Sequence, residues 1–116
     1  MTPNRKAGVC WRSGASPMPR EVRLTDRATS DRNAIWLHIA EDRITAADHI
    51  LDRFDEIFRL LSDNSSAGPA KPRLGKGMRT FTVEGYVICY RVSPDAVEVI
   101  AILHGARKIT RRLLED

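Results

Sequence analysis

The chain has 116 residues, 42% hydrophobic and 29% charged, with a formal net charge of +4; that is one domain of ordinary globular composition, with little length to spare. No apolar run is long enough to cross a bilayer, and the N-terminus lacks the apolar segment of a secretory signal. Two cysteines are too few for a disulfide framework, so Cys10 and Cys89 are expected as reduced thiols in a cytoplasm.

The charge is unevenly spread. Residues 1–20 hold Arg5, Lys6, Arg12 and Arg20 and no acid. Residues 21–66 carry 6 basic and 10 acidic groups, and residues 67–116 carry 9 basic and 5 acidic. The high pI therefore belongs to the leader, while the remainder is neutral but polarised. Charge patterning alone leaves two readings of the basic second half open: a face for an acidic partner, or a solvated surface.

Residues 1–17 show no periodicity and are rich in Pro, Gly, Ser and Arg, so they read as a disordered basic leader. Met18 offers a second start, and residues 18–116 form the single domain. Val22-Arg23-Leu24-Thr25 alternates like one short strand. Thr25 or Asp26 is placed to cap a helix from about Ala28 to Glu41, with Ala28, Asp31, Ile35, His38 and Ile39 on one stripe. His38 on that stripe reads as a packed histidine, since no Cys or His lies at i+4 to form a metal pair.

A second helix runs from near Thr45 to near Asp63. Ala47, Ile50, Leu51, Phe54, Ile57, Phe58 and Leu61 repeat at spacings of three and four, the clearest helix in the chain. Its other face is charged, with Asp55 and Arg59 at i,i+4. Its carboxylates lack the Gly-rich loop that would complete a cation site, so no metal is expected. The short connection makes the two helices an antiparallel hairpin.

Residues 64–74 are a loop, held irregular by Pro69 and Pro72. Gly75-Lys76-Gly77 is not a phosphate loop, because the spacing and the following Ser or Thr are absent. Three strands follow. Arg79 to Val83 meets a Glu84-Gly85 turn, Tyr86 to Val92 meets Ser93-Pro94-Asp95, and Ala96 to His104 stops at Gly105. The last two are almost continuously apolar and should lie central in the sheet. A short helix is expected from Arg107 to Leu114. The fold class is α+β: an N-terminal strand, a helical hairpin on a mainly antiparallel sheet with three consecutive C-terminal strands, and a short C-terminal helix.

Few side chains carry chemistry. Arg79 at a strand start and Arg107 beyond Gly105 present guanidinium forks to carboxylate or phosphate, or serve structural ion pairs. His104 ends the last strand and is either a backbone-bonded histidine or a proton shuttle. Tyr86 and Tyr90 share one face with Ile88 and read as packing residues. RNA cleavage needs proton-transfer groups beside its cations, and after Gly105 the chain supplies Arg and Lys but no acid before Glu115.

The words LTDRATSDRNAIWLHIAED, GPAKPRLGKGMR, YVICYRV and VIAILHGAR, in that order, resemble the ParE branch of the ParE/RelE toxin superfamily of bacterial type II toxin–antitoxin pairs. The resemblance runs from about residue 22 to the C-terminus. It is strongest at Gly77-Met78-Arg79, at Tyr86-x-x-x-Tyr90-Arg91 and at Leu103-His104-Gly105-Ala106-Arg107. Lys108 stands where the family commonly has an acid, so no role of that acid is carried over.

The resemblance implies a RelE/ParE-like fold and a cofactor-free, non-enzymatic toxin that poisons DNA gyrase. Its expected partner is a ParD-like antitoxin with a ribbon-helix-helix DNA-binding part and an acidic tail that folds on binding. It further implies a hetero-oligomer that meets operator DNA only through the antitoxin. Arg79, Tyr90, His104 and Arg107 are the expected target-facing residues, and Ile35, Ile39, Phe54, Arg79 and Arg91 the antitoxin-facing ones. A RelE-like ribosome-dependent mRNA endonuclease, drawing on His104, Arg79 and Arg107, is the alternative. An inactive relic that only binds is the third reading.

Overall fold

The computed structural model describes residues 20–105. In chain order these form β1 (Glu21–Leu24), α1 (Asp26–Ala40), α2 (Ile44–Asp63), a 3-10 turn (Pro72–Leu74), β2 (Met78–Val83), β3 (Tyr86–Val92) and β4 (Ala96–His104). The leader and the expected helix from Arg107 to Leu114 lie outside the described residues. No described helix is long and apolar enough to cross a membrane.

One residue ends the first strand and starts the first helix. Thr25 Oγ1 accepts from the Ala28 N–H at 3.1 Å, which makes Thr25 the N-cap. The same hydroxyl donates to the Ile100 carbonyl at 2.9 Å, and the Thr25 N–H donates to Val99 O at 3.0 Å. The cap therefore also fastens the helix entrance to β4.

Residues 41–43 join α1 to α2 as an antiparallel hairpin. Two side-chain bonds cross it, Arg32 Nη2 to Asp55 Oδ1 and Trp36 Nε1 to Asp48 Oδ1, both 2.9 Å. Asp55 thus pairs with the neighbouring helix and not with Arg59 one turn on. The hairpin packs its apolar side on the sheet, where Ala47, Ile50, Phe54, Ile57, Phe58 and Leu61 of α2 are all buried. α1 contributes less: Ala28 is buried, while Ile35 and Ile39 are half-buried against the core. The stripe expectation fails at His38, which is exposed. A helix that packs through few residues leaves the margin of its stripe in solvent.

The sheet order is β1-β4-β3-β2, with β1 parallel to β4 and the other pairs antiparallel. β4 and β3 are central, as their apolar runs imply. Glu84 and Gly85 have φ of 52° and 84°. Positive φ at both central residues is the two-residue hairpin turn whose twist matches the strands. Between β3 and β4 the register passes from Cys89↔Ala101 to Tyr90↔Val99, leaving Ile100 unopposed. This bulge resets the alternation of β4. Val97, Val99 and Ile102 all enter the core under the helices, while Ala101 and Leu103 join Cys89, Leu74 and Met78 on the opposite face.

Beyond the reach of β1, α1 covers the edge of β4: Asp31 Oδ2 accepts the Ile102 N–H at 3.0 Å. At the far edge the loop before β2 folds back along it. Lys71 N–H donates to Met78 O at 2.8 Å and Thr80 N–H to Pro69 O at 3.2 Å.

Candidate functional site

Two tyrosines four residues apart divide the helix-side surface of β3. Tyr90 is fully buried. Its hydroxyl accepts the Gly68 N–H and donates to Ser65 O, both at 2.9 Å. Arg79, its cross-strand partner, donates from Nη1 to Gly68 O at 2.7 Å and to Ser66 O at 3.4 Å. The phenol and the guanidinium together clamp residues 65–68. Gly68 is required there, because a Cβ would lie 2.0 Å from Thr80 O. Burial raises the Tyr90 phenol above its ordinary value, partly offset by the Gly68 N–H and by Arg79.

The other end is open. His104 is exposed, and its ring meets Tyr86 edge-on at 5.6 Å. Tyr86 in turn stands edge-on to buried Phe54 at 5.8 Å. Gly105 N–H donates to Gly85 O at 2.7 Å, closing the end of β4 on the β2–β3 turn. Arg53 of α2 bonds Glu56 and reaches Glu84 Oε2 at 3.3 Å, so the same turn is tied to the helices. The hydrogen bond to Glu56 is the main cause of a raised Arg53 pKa, and the guanidinium stays charged. This end offers one exposed imidazole, one half-buried tyrosine and a rim of paired charges.

The expected site residues are therefore not one constellation. His104 lies opposite Tyr86 and Arg79 opposite Tyr90. At the rise of a strand they are separated by about 13 Å along β3, and by its width across the sheet. They do not converge on one phosphate. Tyr90 is corrected from a target contact to a loop anchor, because both of its hydroxyl bonds are internal. Phe54 is corrected from an antitoxin contact to a core residue with no exposed surface. Arg79 is half-buried and committed to the loop. Arg107 lies outside the described residues. Arg91 is exposed, 4.0 Å from Glu98.

Surface apolar residues that sequence reasoning missed are Leu37 and Ile44, 61% and 60% exposed at the tip of the helical hairpin, and Leu60 on α2. Leu37 falls on the face of α1 turned away from the predicted stripe, and Ile44 before the predicted start of α2. An apolar residue off an otherwise regular stripe was the available signal.

On the opposite face Cys89 is buried, and desolvation pushes its thiol from 9.0 to about 11. It stays protonated and packs as a small apolar residue. Among the described residues, no group of three His, Cys, Asp or Glu side chains is placed to hold a metal.

Comparison with known proteins assigns the chain. The family described as "ParE toxin of type II toxin-antitoxin system, parDE" matches residues 22–109, well over half its length. Toxin ParE3 of Caulobacter vibrioides is 27% identical over 97 residues, covering 83% of this chain and 96% of that protein. A solved structure described as the chromosomal ParDE TA system from P. aeruginosa superposes with a TM-score of 0.64 at 22% identity, covering 75% of this chain and 96% of that one. At that identity the superposition speaks for the fold. The chain belongs to the ParE toxin family of type II toxin–antitoxin systems.

Proposed function

We propose that this ParE-family chain arrests growth by binding and poisoning DNA gyrase, and that a ParD-like antitoxin neutralises it in a hetero-oligomer. The carrying observation is the family match, which spans residues 22–109 and so every described element except the first residue of β1. The antitoxin's ribbon-helix-helix part makes the contact with operator DNA, and its acidic tail lies over the helical hairpin and the sheet, clear of residues 71–76. Half-buried Ile35 and Ile39 supply apolar contact on the hairpin, and Arg91 supplies charge on the sheet.

The non-enzymatic reading gains support from how the polar groups are used. General acid–base cleavage of RNA needs proton donors and acceptors gathered with cations around one phosphate. Here the Tyr90 hydroxyl and the Arg79 guanidinium hold a loop, and His104 stands at the far end of the sheet. His104, on an exposed rim beside Gly105, is suited to binding a partner.

Two assays on antitoxin-free protein test the proposal. One follows gyrase supercoiling and cleavage-complex formation, and the other maps mRNA cleavage on translating ribosomes. Gyrase inhibition with intact mRNA is expected. Codon-linked cleavage abolished in His104→Ala, with gyrase untouched, would overturn the reading in favour of a nuclease. Silence in both would favour an inactive binding relic.

A further inference from the structure

We infer that the segment carrying Lys71, Arg73 and Lys76 is a sequence-independent docking strap for the phosphate backbone of double-helical DNA. The inference needs only the strap's own charge and geometry and is independent of the gyrase proposal.

From residue 64 to residue 83 the chain holds four cations and no acid. Arg79 is spent on the loop, which leaves Lys71, Arg73 and Lys76. None of these three makes an ion pair among the described residues, and Arg73 and Lys76 are exposed. The exposed Arg91 joins them from β3, since a Cβ at Gly75 would stand 3.9 Å from its Nη2. Among the described residues, the only carboxylate paired with this group is Glu98, at 4.0 Å from Arg91.

The backbone adds donors. Met78 N–H bonds Gly75 O at 3.2 Å, closing a turn over Lys76 and Gly77, and Gly77 has φ of 75°. Gly75, at φ 142°, likewise needs glycine. In this turn the N–H groups of Lys76 and Gly77 find no acceptor among the described residues. Two adjacent free amides beside a lysine and an arginine favour an oxyanion.

Phosphodiester backbone fits better than an acidic polypeptide. A docked peptide draws most of its affinity from apolar anchors in desolvated pockets. The apolar side chains of the strap, Leu74 and Met78, are already buried in the protein's own second cluster. Apart from the exposed ring of Pro72, what remains outward is charge and amide, the polar and strongly positive composition of DNA-binding surfaces. Backbone contact of this kind carries no sequence information.

The test is fluorescence anisotropy of a short mixed-sequence duplex against the full chain, over a salt series, with poly-glutamate of matched charge as competitor. Arg73→Gln/Lys76→Gln is compared with Arg43→Gln/Arg59→Gln, which removes equal charge from exposed sites elsewhere. The strap variant should lose at least about tenfold at low salt, and its log K against log salt slope should become shallower by about 2, at roughly 0.9 per phosphate. The control should stay near the parent chain. If the strap pair fails to fold, Lys76→Gln alone carries the same test with half the slope change. No duplex binding, equal losses in both variants, or tighter binding of poly-glutamate than of duplex would overturn the inference, the last by making an acidic polypeptide the occupant.

Discussion

Tyr90 and Tyr86 are the same residue type on the same strand and the same face, one helical-hairpin shadow apart, and they do different work. Tyr90 is sealed, with its hydroxyl bonded on both sides to a loop more than twenty residues upstream. Tyr86 is half-buried between Phe54 and His104 and has no hydroxyl bond among the described residues. The difference separates the structural end of the sheet from the end with a surface to offer. It also warns that strand parity identifies a face but not the partner that covers it.

The largest effect should come from the core residue behind the open end. Phe54 is fully buried in the main core and props Tyr86. Phe54→Ala should cost about 3–5 kcal/mol, close to the whole stability of a domain this small. Denaturant unfolding should show a collapsed or missing transition. An unchanged midpoint would place the α2 stripe in solvent and break the comparison at its base.

Gly68→Ala strikes the sealed end alone. Its new Cβ meets the Thr80 carbonyl, a backbone group that cannot swing aside. About 1–3 kcal/mol of overpacking is expected, read as a lower thermal midpoint. The tyrosines themselves give the direct contrast. Tyr90→Phe leaves the Gly68 N–H and Ser65 carbonyl without their partner and should cost about 1–3 kcal/mol. Tyr86→Phe removes a hydroxyl with no such bonds and should stay within about 0.5 kcal/mol. Equal losses in the two variants would erase the distinction between the ends.

Cys89 lies next to Tyr90 but on the opposite face, and its titration reports how dry that face is. Its folded pKa is about 11 against an ordinary 9.0. Below pH 9 both folded and unfolded chains keep the proton. Between 9 and 11 the unfolded thiol releases it while the folded one does not, so stability present at lower pH is lost as pH rises. The slope should approach about 1.4 kcal/mol per pH unit from this group, with Tyr90 adding in the same direction at higher pH. Cys89→Ala should flatten the curve between pH 9 and 11 in pH-resolved denaturant titrations.

The local features of the fold were legible in the sequence because local physics makes them. Glu84-Gly85 announces a turn that needs positive φ twice, and the seven apolar positions of α2 recur at helical spacing. Features set by distant partners were not legible. Nothing near Val22 says that β1 lies parallel to β4. Nothing near Ile100 signals the bulge that resets which face its neighbours occupy. Strand parity read Tyr90 as a packing residue and the resemblance set it among the target-facing ones; its actual partners, Ser65 and Gly68, were not legible because they lie in a loop without periodicity. Asp31 looked like one more position on a stripe, yet its carboxylate finishes the edge of β4. At the site, His104 was identifiable as a strand-end residue, but its separation from Arg79 emerged only from the register of three strands.

His104→Ala should have the smallest effect on stability and a larger one on function. The ring is exposed and its described aromatic contact is edge-on with Tyr86. Such a pair is worth about 0.5–1.5 kcal/mol beyond area when buried, and an exposed one should fall at the low end. Arg79→Ala is not an equivalent probe, because it frees residues 66–68 and mixes folding with binding. The informative comparison sets His104→Ala beside Tyr90→Phe in gyrase inhibition, each normalised to its folded fraction. If the open end carries the target contact, His104→Ala should weaken inhibition several-fold at nearly unchanged stability. Tyr90→Phe should lose stability while inhibition per folded molecule holds. The reverse pattern would move the target surface to the loop-clamped end and leave His104 as a cap on the strand.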